Sequence, residues 1–304
     1  VRLINRLGRA GLSSAIKEGC LCATGEVFAI MDTDGQHEVS TITNGIKKLI
    51  EEELDFVIGS RFLDQSKIRG LSDARKGGSN LANSLSRFSL PRRYHHLTDF
   101  MSGCMILNRR SCMSFIEKID VNGFKFFYEL LSVSKGKLKG LEIELTFQPR
   151  KYGSSKLDIA IVWDFLVSLV HTTLRRTIPR KAISFGFVGA TGVFVQFFVI
   201  YFLIWFVGID FEKGLPFAVV IAASSNFLIN NALTFRSKRL KNRGLIIGLF
   251  KFLLVSSLPI LANVGIAKTF FNYISPNTLL SQIAGIIVVY IWNYAASSRL
   301  VWNN

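Results

Sequence analysis

Asp32 and Asp34 stand at i and i+2 in the string M-D-T-D-G-Q-H, and Gln36 follows two residues later. Three oxygen donors this close together can hold a hard divalent cation such as Mg²⁺ or Mn²⁺. An ion so held could bridge a diphosphate and stabilise it as it leaves. The same string also reads as a polar turn that only ends a strand, because the apolar run V-F-A-I-M comes immediately before it. His95 and His96 lack partners at metal spacing and read as loop residues. The cysteines at 20, 22, 104 and 112 form no C-x-x-C pair and read as reduced, structural thiols.

A loop of this kind needs a sheet to hold it. Short β-rich runs, V-R-L-I at 1, V-F-A-I-M at 27, D-F-V-I-G-S at 55, M-I-L-N at 105 and L-E-I-E-L-T-F at 141, alternate with helix-like stretches such as Leu12–Thr24 and Val39–Glu53. This alternation predicts an α/β layer fold with a largely parallel sheet. Ligands of such sheets bind beyond the carboxyl ends of the strands, which is where Asp32 falls.

The 304 residues have room for two domains, and the composition is uneven: most acidic residues precede Asp164, and long apolar runs dominate after Ile183. Four of these runs, Ile183–Val207, Leu215–Thr234, Leu245–Phe270 and Thr278–Leu300, approach the ~20 residues that cross a bilayer. Arg175, Arg176, Arg180 and Lys181 precede the first, and Arg236, Lys238, Arg239, Lys241 and Arg243 separate the second from the third. The positive-inside rule therefore puts that side, with the sheet domain, in the cytoplasm of a multi-pass membrane protein. The formal charge of +16 clusters at these edges, which argues against a nucleic-acid partner. Leu157–Ile178 has apolar residues at near-helical spacing and a basic end; it reads either as a helix in the membrane interface or as one packed on the sheet domain. The second run ends N-F-L-I-N-N-A-L-T-F from Asn226 and the fourth N-Y-A-A-S-S-R-L-V-W from Asn293, the mark of two copies of a helical hairpin. Asn226, Asn230, Asn231 and Asn293 are costly in hydrocarbon and are expected to face other helices. A repeat of this kind could also form a homo-oligomer, with no subunit count fixed.

The soluble half resembles family 2 glycosyltransferases, most closely the dolichyl-phosphate mannose synthases and their bacterial polyprenyl-phosphate glucose relatives. The resemblance rests on order and spacing: G-L-S-S-A-I-K-E-G with A-T-G, then M-D-T-D-G-Q-H, D-F-V-I-G-S-R-F, Arg75, D-F-M-S-G, Glu129 and R-K-Y-G-S-S-K. The second half resembles the GtrA-like membrane domain. Together they predict a GT-A (Rossmann-like) α/β catalytic domain over residues 1–156, a juxtamembrane amphipathic helix over 157–181, and an all-α domain of four transmembrane helices over 182–304. Family members carry an opening strand and loop before the region matching Val1, so an N-terminal part of the catalytic domain is expected to be missing here.

The resemblance implies inverting, metal-dependent transfer of a hexose, mannose foremost, from a nucleotide sugar (GDP-mannose or UDP-glucose) to a polyprenyl or dolichyl monophosphate. By motif, Asp32 would contact the sugar nucleotide, and Asp34 and Gln36 with Asp32 would hold Mg²⁺ or Mn²⁺. Arg61 and Arg75 would bind phosphate groups, for which guanidinium forks are suited. Asp99, Ser102 and Glu129 would contact substrate, and Arg150, Ser154 and Lys156 would form a loop over the diphosphate. A lipid monophosphate, with its second pKa about 6, can attack without a general base. The competing reading is a non-enzymatic scaffold or lipid-linked-sugar flippase with a degraded transferase half.

Overall fold

The computed structural model describes residues 3–5, 11–32, 37–63, 73–120, 125–145, 159–274 and 278–302; of these, 73–76, 258–268, 270–271, 278–279 and 281–282 are described by their backbone alone. The chain forms two compact units, Val1–Thr177 and Ile178–Asn304.

The first unit is built on four described strands, β1 (Val27–Ile30), β2 (Phe56–Ser60), β3 (Met105–Asn108) and β4 (Gly140–Glu144), in the order β1-β3-β2-β4. Every residue of β2 is buried, and its side chains alternate between two cores, as a strand covered on both faces requires. Phe56 and Ile58 join Tyr94, Phe127 and Leu131 on one face, with the Phe56 and Phe127 rings edge to face at 5.4 Å. Val57 joins Leu49 and Ile106 on the other.

The sheet is mixed, which corrects the largely parallel expectation. β3 runs antiparallel to both β1 and β2, and only the β2–β4 pair is parallel among the described strands. The cause is the return of the chain, through helix α3 (Asp73–Ser89), to the carboxyl end of β2 before β3 begins. There the Ser60 and Thr98 hydroxyls bond at 2.7 Å, so β3 can only run back the other way. An apolar run such as M-I-L-N carries no sign of its direction. Leu3 and Ile4, from the first expected strand, lie outside the sheet, and Val1 and Arg2 are outside the described residues.

The helices before and after α3 are α1 (Leu12–Cys22), α2 (Val39–Glu51), α4 (Arg109–Ile116), α5 (Phe126–Ser134) and α6 (Ile159–Thr173). Of the two readings of the 157–178 stretch, the packed one describes α6: Phe165 meets the Tyr128 ring edge-on at 6.4 Å, and the Ser132 and Thr172 hydroxyls bond at 2.9 Å. Its outer face keeps Ile159, Ile161, Val162 and Leu166 exposed. The helix ends in a Schellman turn, with Arg176 N–H donating to His171 C=O at 2.8 Å and Arg175 N–H to Thr172 C=O at 2.9 Å. Arg175 takes the left-handed position, φ 52°, where glycine is usual.

The second unit is helical: α7 (Arg180–Phe202) continuing into a π-turn (Leu203–Val207), α8 (Phe211–Ile229) continuing into a second (Asn230–Thr234), then α9 (Asn242–Tyr273) and α10 (Thr278–Leu300). α7 packs chiefly on α8, and α9 on α10, the two expected hairpins. Three described segments, Arg180–Val207, Phe211–Thr234 and Ile283–Leu300, are long and apolar enough to cross a bilayer. The remaining expected span coincides with α9, whose central side chains are outside the description. Trp205 and Phe206 are 79% and 81% exposed, within a wide apolar surface that suits lipid and not water.

Candidate active site

β1 and β2 are both antiparallel to β3, so their carboxyl ends and the amino end of β3 share one edge of the sheet. Asp32 lies two residues beyond β1, Arg61 follows β2 directly, and Asp99 to Gly103 lead into β3. The topology thus gathers Asp32 and the S-R-F and D-F-M-S-G segments, distant in sequence, at one place.

Arg61 and Asp99 form a two-point ion pair: Nε donates to Oδ2 at 2.7 Å and Nη2 to Oδ1 at 2.8 Å, and the Arg61 backbone N–H reaches Oδ2 at 3.3 Å. Asp99 is fully buried, and the Arg61 side chain is 16% exposed. Burial works against the Arg61 charge, and Asp99, with Asp32 farther off, more than restores it. Asp99 is itself held by Glu142 of β4. Glu142 Oε1 accepts from the N–H groups of Thr98 at 2.8 Å and Asp99 at 2.9 Å, and Oε2 accepts from the Thr98 hydroxyl at 2.8 Å. Burial pushes the Glu142 pKa above the ordinary carboxylate range, although these donors pull it down.

The Asp32 N–H donates to His37 Nδ1 at 3.2 Å, and its carboxylate packs over the backbone of Gly103. A Cβ at Gly103 would stand 2.6 Å from Asp32 Oδ2, so that approach needs glycine. Lys125, just before α5, belongs to the same electrostatic cluster. Burial lowers its pKa, Arg61 lowers it further, and Asp32 and Asp99 pull it back up. Lys125 escaped the motif comparison. The signal available was a lysine opening the apolar helix F-F-Y-E-L-L, where the helix dipole disfavours a cation.

Two expected substrate contacts are engaged with the chain itself. The Ser102 hydroxyl donates to Gly59 C=O at 2.6 Å and accepts from Cys104 N–H at 3.1 Å. Glu129 is fully buried and accepts from Arg176 Nη1 at 3.1 Å, and the same Nη1 lies 3.0 Å from Ser132 Oγ. Arg75 is described only as backbone within α3, and Asp34, Gln36, Arg150, Ser154 and Lys156 lie outside the described residues. Among the described residues no three His, Cys, Asp or Glu side chains form a metal cage. The Asp32 carboxylate, a hard oxygen donor at the sheet edge, has the chemistry a divalent ion would need there.

Such a site, with Arg61, Asp32 and Asp99 beyond strand ends and Lys125 in their electrostatic reach, suits a phosphorylated ligand. Residues 1–115 match the model of glycosyl transferase family 2, and residues 184–302 match that of the GtrA/DPMS transmembrane domain. The chain is therefore a family 2 glycosyltransferase domain joined to a GtrA/DPMS transmembrane domain. It is 28% identical to a dolichol-phosphate mannosyltransferase of Pyrococcus furiosus over 99% of this chain and 83% of that protein. A dolichol-phosphate mannosyltransferase of Mycosarcoma maydis is 28% identical over 67% of this chain and 66% of its own length. A dolichyl-phosphate beta-glucosyltransferase of Trichomonas vaginalis is 29% identical over 56% of this chain and 52% of its own.

Proposed function

We propose that this chain transfers a hexose, mannose foremost, from GDP-mannose or UDP-glucose to a dolichyl or other polyprenyl monophosphate, with inversion at the anomeric carbon. The observation that carries this reading is Asp32 and the Arg61–Asp99 pair at one sheet edge, in a chain similar over 99% of its length to a dolichol-phosphate mannosyltransferase.

In the reaction, an oxygen of the lipid phosphate forms a bond to the anomeric carbon, and the bond from that carbon to the donor's diphosphate breaks. The nucleoside diphosphate leaves with the electron pair, and the dianionic phosphate needs no base to attack. Arg61, its plane set by Asp99, presents its charge to a phosphate, and Lys125 adds a second positive charge. Asp32 orients the sugar nucleotide, and Arg75, Arg150, Ser154 and Lys156 contribute further phosphate contacts. Ser102 fixes the loop that carries Asp99, and Glu129 anchors the end of α6. A divalent Mg²⁺ or Mn²⁺ bound by Asp32, Asp34 and Gln36 would offset charge on the departing diphosphate. The membrane domain crosses four times, α9 included, with the basic loops and the catalytic unit on the cytoplasmic side.

Membranes bearing the chain, supplied with polyprenyl phosphate and radiolabelled GDP-mannose or UDP-glucose, should pass label into the organic phase with Mn²⁺ and not with EDTA. Absence of label from both donors with folded protein overturns the reading.

A further inference from the structure

A half-open cavity of about 470 Å³ lies among the helices of the second unit, within the range of small-molecule sites. Phe185, Phe252 and Tyr290 line it together with Asn226, Asn230 and Asn293, and among the described residues no Asp, Glu, Lys, Arg or His lines it. The Oδ1 atoms of these three asparagines are buried and accept no hydrogen bond from any described residue. Unsatisfied amides are strongly unfavourable in hydrocarbon. The bundle satisfies an asparagine elsewhere: Asn231 Oδ1 accepts from Leu240 N–H at 2.8 Å and Trp302 Nε1–H at 3.1 Å, and its Nδ2 donates to Leu240 C=O at 3.1 Å. Three buried amide oxygens without a donor around one cavity therefore point to something that enters it and donates to them.

The position is also the meeting point of the two hairpins. Asn226 and Asn293 begin the matching strings, and both line the cavity. Phe235 and Trp302 end those strings, and their rings stack at 4.2 Å with 8° between planes. Membrane proteins built from repeats bind ligands where the repeats meet. The backbone is adapted here too: a Cβ at Gly192 would collide with the Asn226 amide, and α8 passes into its π-turn at Asn230.

We propose that this cavity binds the neutral, hydroxyl-rich head of a lipid-linked hexose. Amides both donate and accept, which matches sugar hydroxyls, and the aromatic rings offer apolar surface to the C–H face of a pyranose. The described wall carries no charged side chain to hold a phosphate, and its amides and rings match the sugar. The identity of the ligand rests on the hexosyltransferase reading; the presence of a polar site in the bundle does not.

The test uses the full chain in phosphatidylcholine nanodiscs and two photoreactive probes, mannosyl citronellyl phosphate and citronellyl phosphate, with crosslinks mapped by mass spectrometry. The mannosyl probe should label segments of α7, α8 and α10, and labelling should fall at least tenfold in Asn293→Leu and in Gly192→Ala, which displaces Asn226 without changing it. Both variants are compared with wild type by thermal unfolding without probe. Removing an unsatisfied amide should leave Asn293→Leu as stable as wild type or more so; if it unfolds early, Gly192→Ala decides. Equal labelling by the two probes, no labelling of these helices, or labelling indifferent to both substitutions overturns the proposal. Hexose transfer is measured on the same samples. Labelling without transfer leaves the cavity standing while the transferase reading falls, and transfer without labelling does the reverse.

Discussion

The Asp99 carboxylate grips the Arg61 guanidinium at two points, 2.7 and 2.8 Å, while the backbone beside each residue is tied to the same carboxylate: Arg61 N–H at 3.3 Å and Met101 N–H at 3.2 Å. The pair fixes the plane of the guanidinium as well as its charge, and a lysine could not reproduce that fork. Arg61→Lys should therefore lower transfer roughly 100-fold, a loss of the size seen when one preorganised charge contact is removed. Asp99→Ala takes the two-point partner from a largely buried cation and should cost about 3 kcal/mol of stability as well. Steady-state transfer and thermal unfolding of each variant check the two claims. Full activity in Arg61→Lys would show that the fork has no role.

Glu142 sits one layer behind that pair, and its raised pKa gives the site an acid limit. As pH falls through this raised value, the carboxylate gains a proton and can no longer accept all three bonds that set Thr98 and Asp99. Transfer should then fall at a pH above the ordinary glutamate range near ~4.3. The stability term has the opposite sign. The folded chain holds this proton more tightly than the unfolded chain, so the group's contribution to stability rises as pH drops from the raised pKa toward the ordinary one. Glu142→Gln should flatten the acid limb of the pH–rate profile; an unchanged limb would remove Glu142 from the account.

Lys125 is held partly buried beside Arg61, a like charge, and its lowered pKa records the cost. Burial is the main cost, Arg61 adds to it and Asp32 and Asp99 offset part of it; a cation shifted in this way beside Arg61 and Asp32 is a candidate phosphate contact. Lys125→Met should leave unfolding temperature unchanged or higher and reduce transfer by about 10-fold or more. A variant that loses stability and keeps its activity would make Lys125 a packing residue.

How much of this could be read from the chain follows from how far apart the partners lie in sequence. β1, β2 and β3 were visible as apolar runs with turns beside them, and Asp32 and Arg61 as the first polar residues past such runs. The direction of β3 was not, because it depends on where α3 returns the chain, and the Ser60–Thr98 contact spans 38 residues. Glu142 carries no local signal either; as one polar position in L-E-I-E-L it looks like a solvated strand face. Arg176 read as a charge flanking a membrane span, and only the fold reveals Glu129 as its partner, 47 residues away.

The cysteines offer a check on the first unit alone. Burial pushes the thiols of Cys20 and Cys104 up to about 11 and that of Cys112 to about 12, while Cys22 is exposed. At neutral pH the three buried thiols stay protonated and unreactive. Iodoacetamide should modify Cys22 alone in the folded chain and all four in denaturant, as peptide mass spectrometry would report. Rapid modification of Cys112 without denaturant would contradict this packing.

The Glu129–Arg176 pair joins α5 to the turn that ends α6, and its carboxylate is fully buried. Removing the cation leaves that carboxylate with less to offset its desolvation, so Arg176→Ala should cost about 3 kcal/mol. Glu129→Gln should cost less, because the amide keeps an oxygen for Arg176 Nη1. Arg175 tests the same turn from the other side. At φ 52° it bears a steric cost that glycine escapes, so Arg175→Gly should be neutral or stabilising by up to about 1 kcal/mol. If the pair only locks α6 to the sheet unit, Arg176→Ala should shift unfolding and leave the KM for the nucleotide sugar within twofold. A large rise in that KM at unchanged stability would instead return Glu129 to the substrate contacts the motif comparison expected.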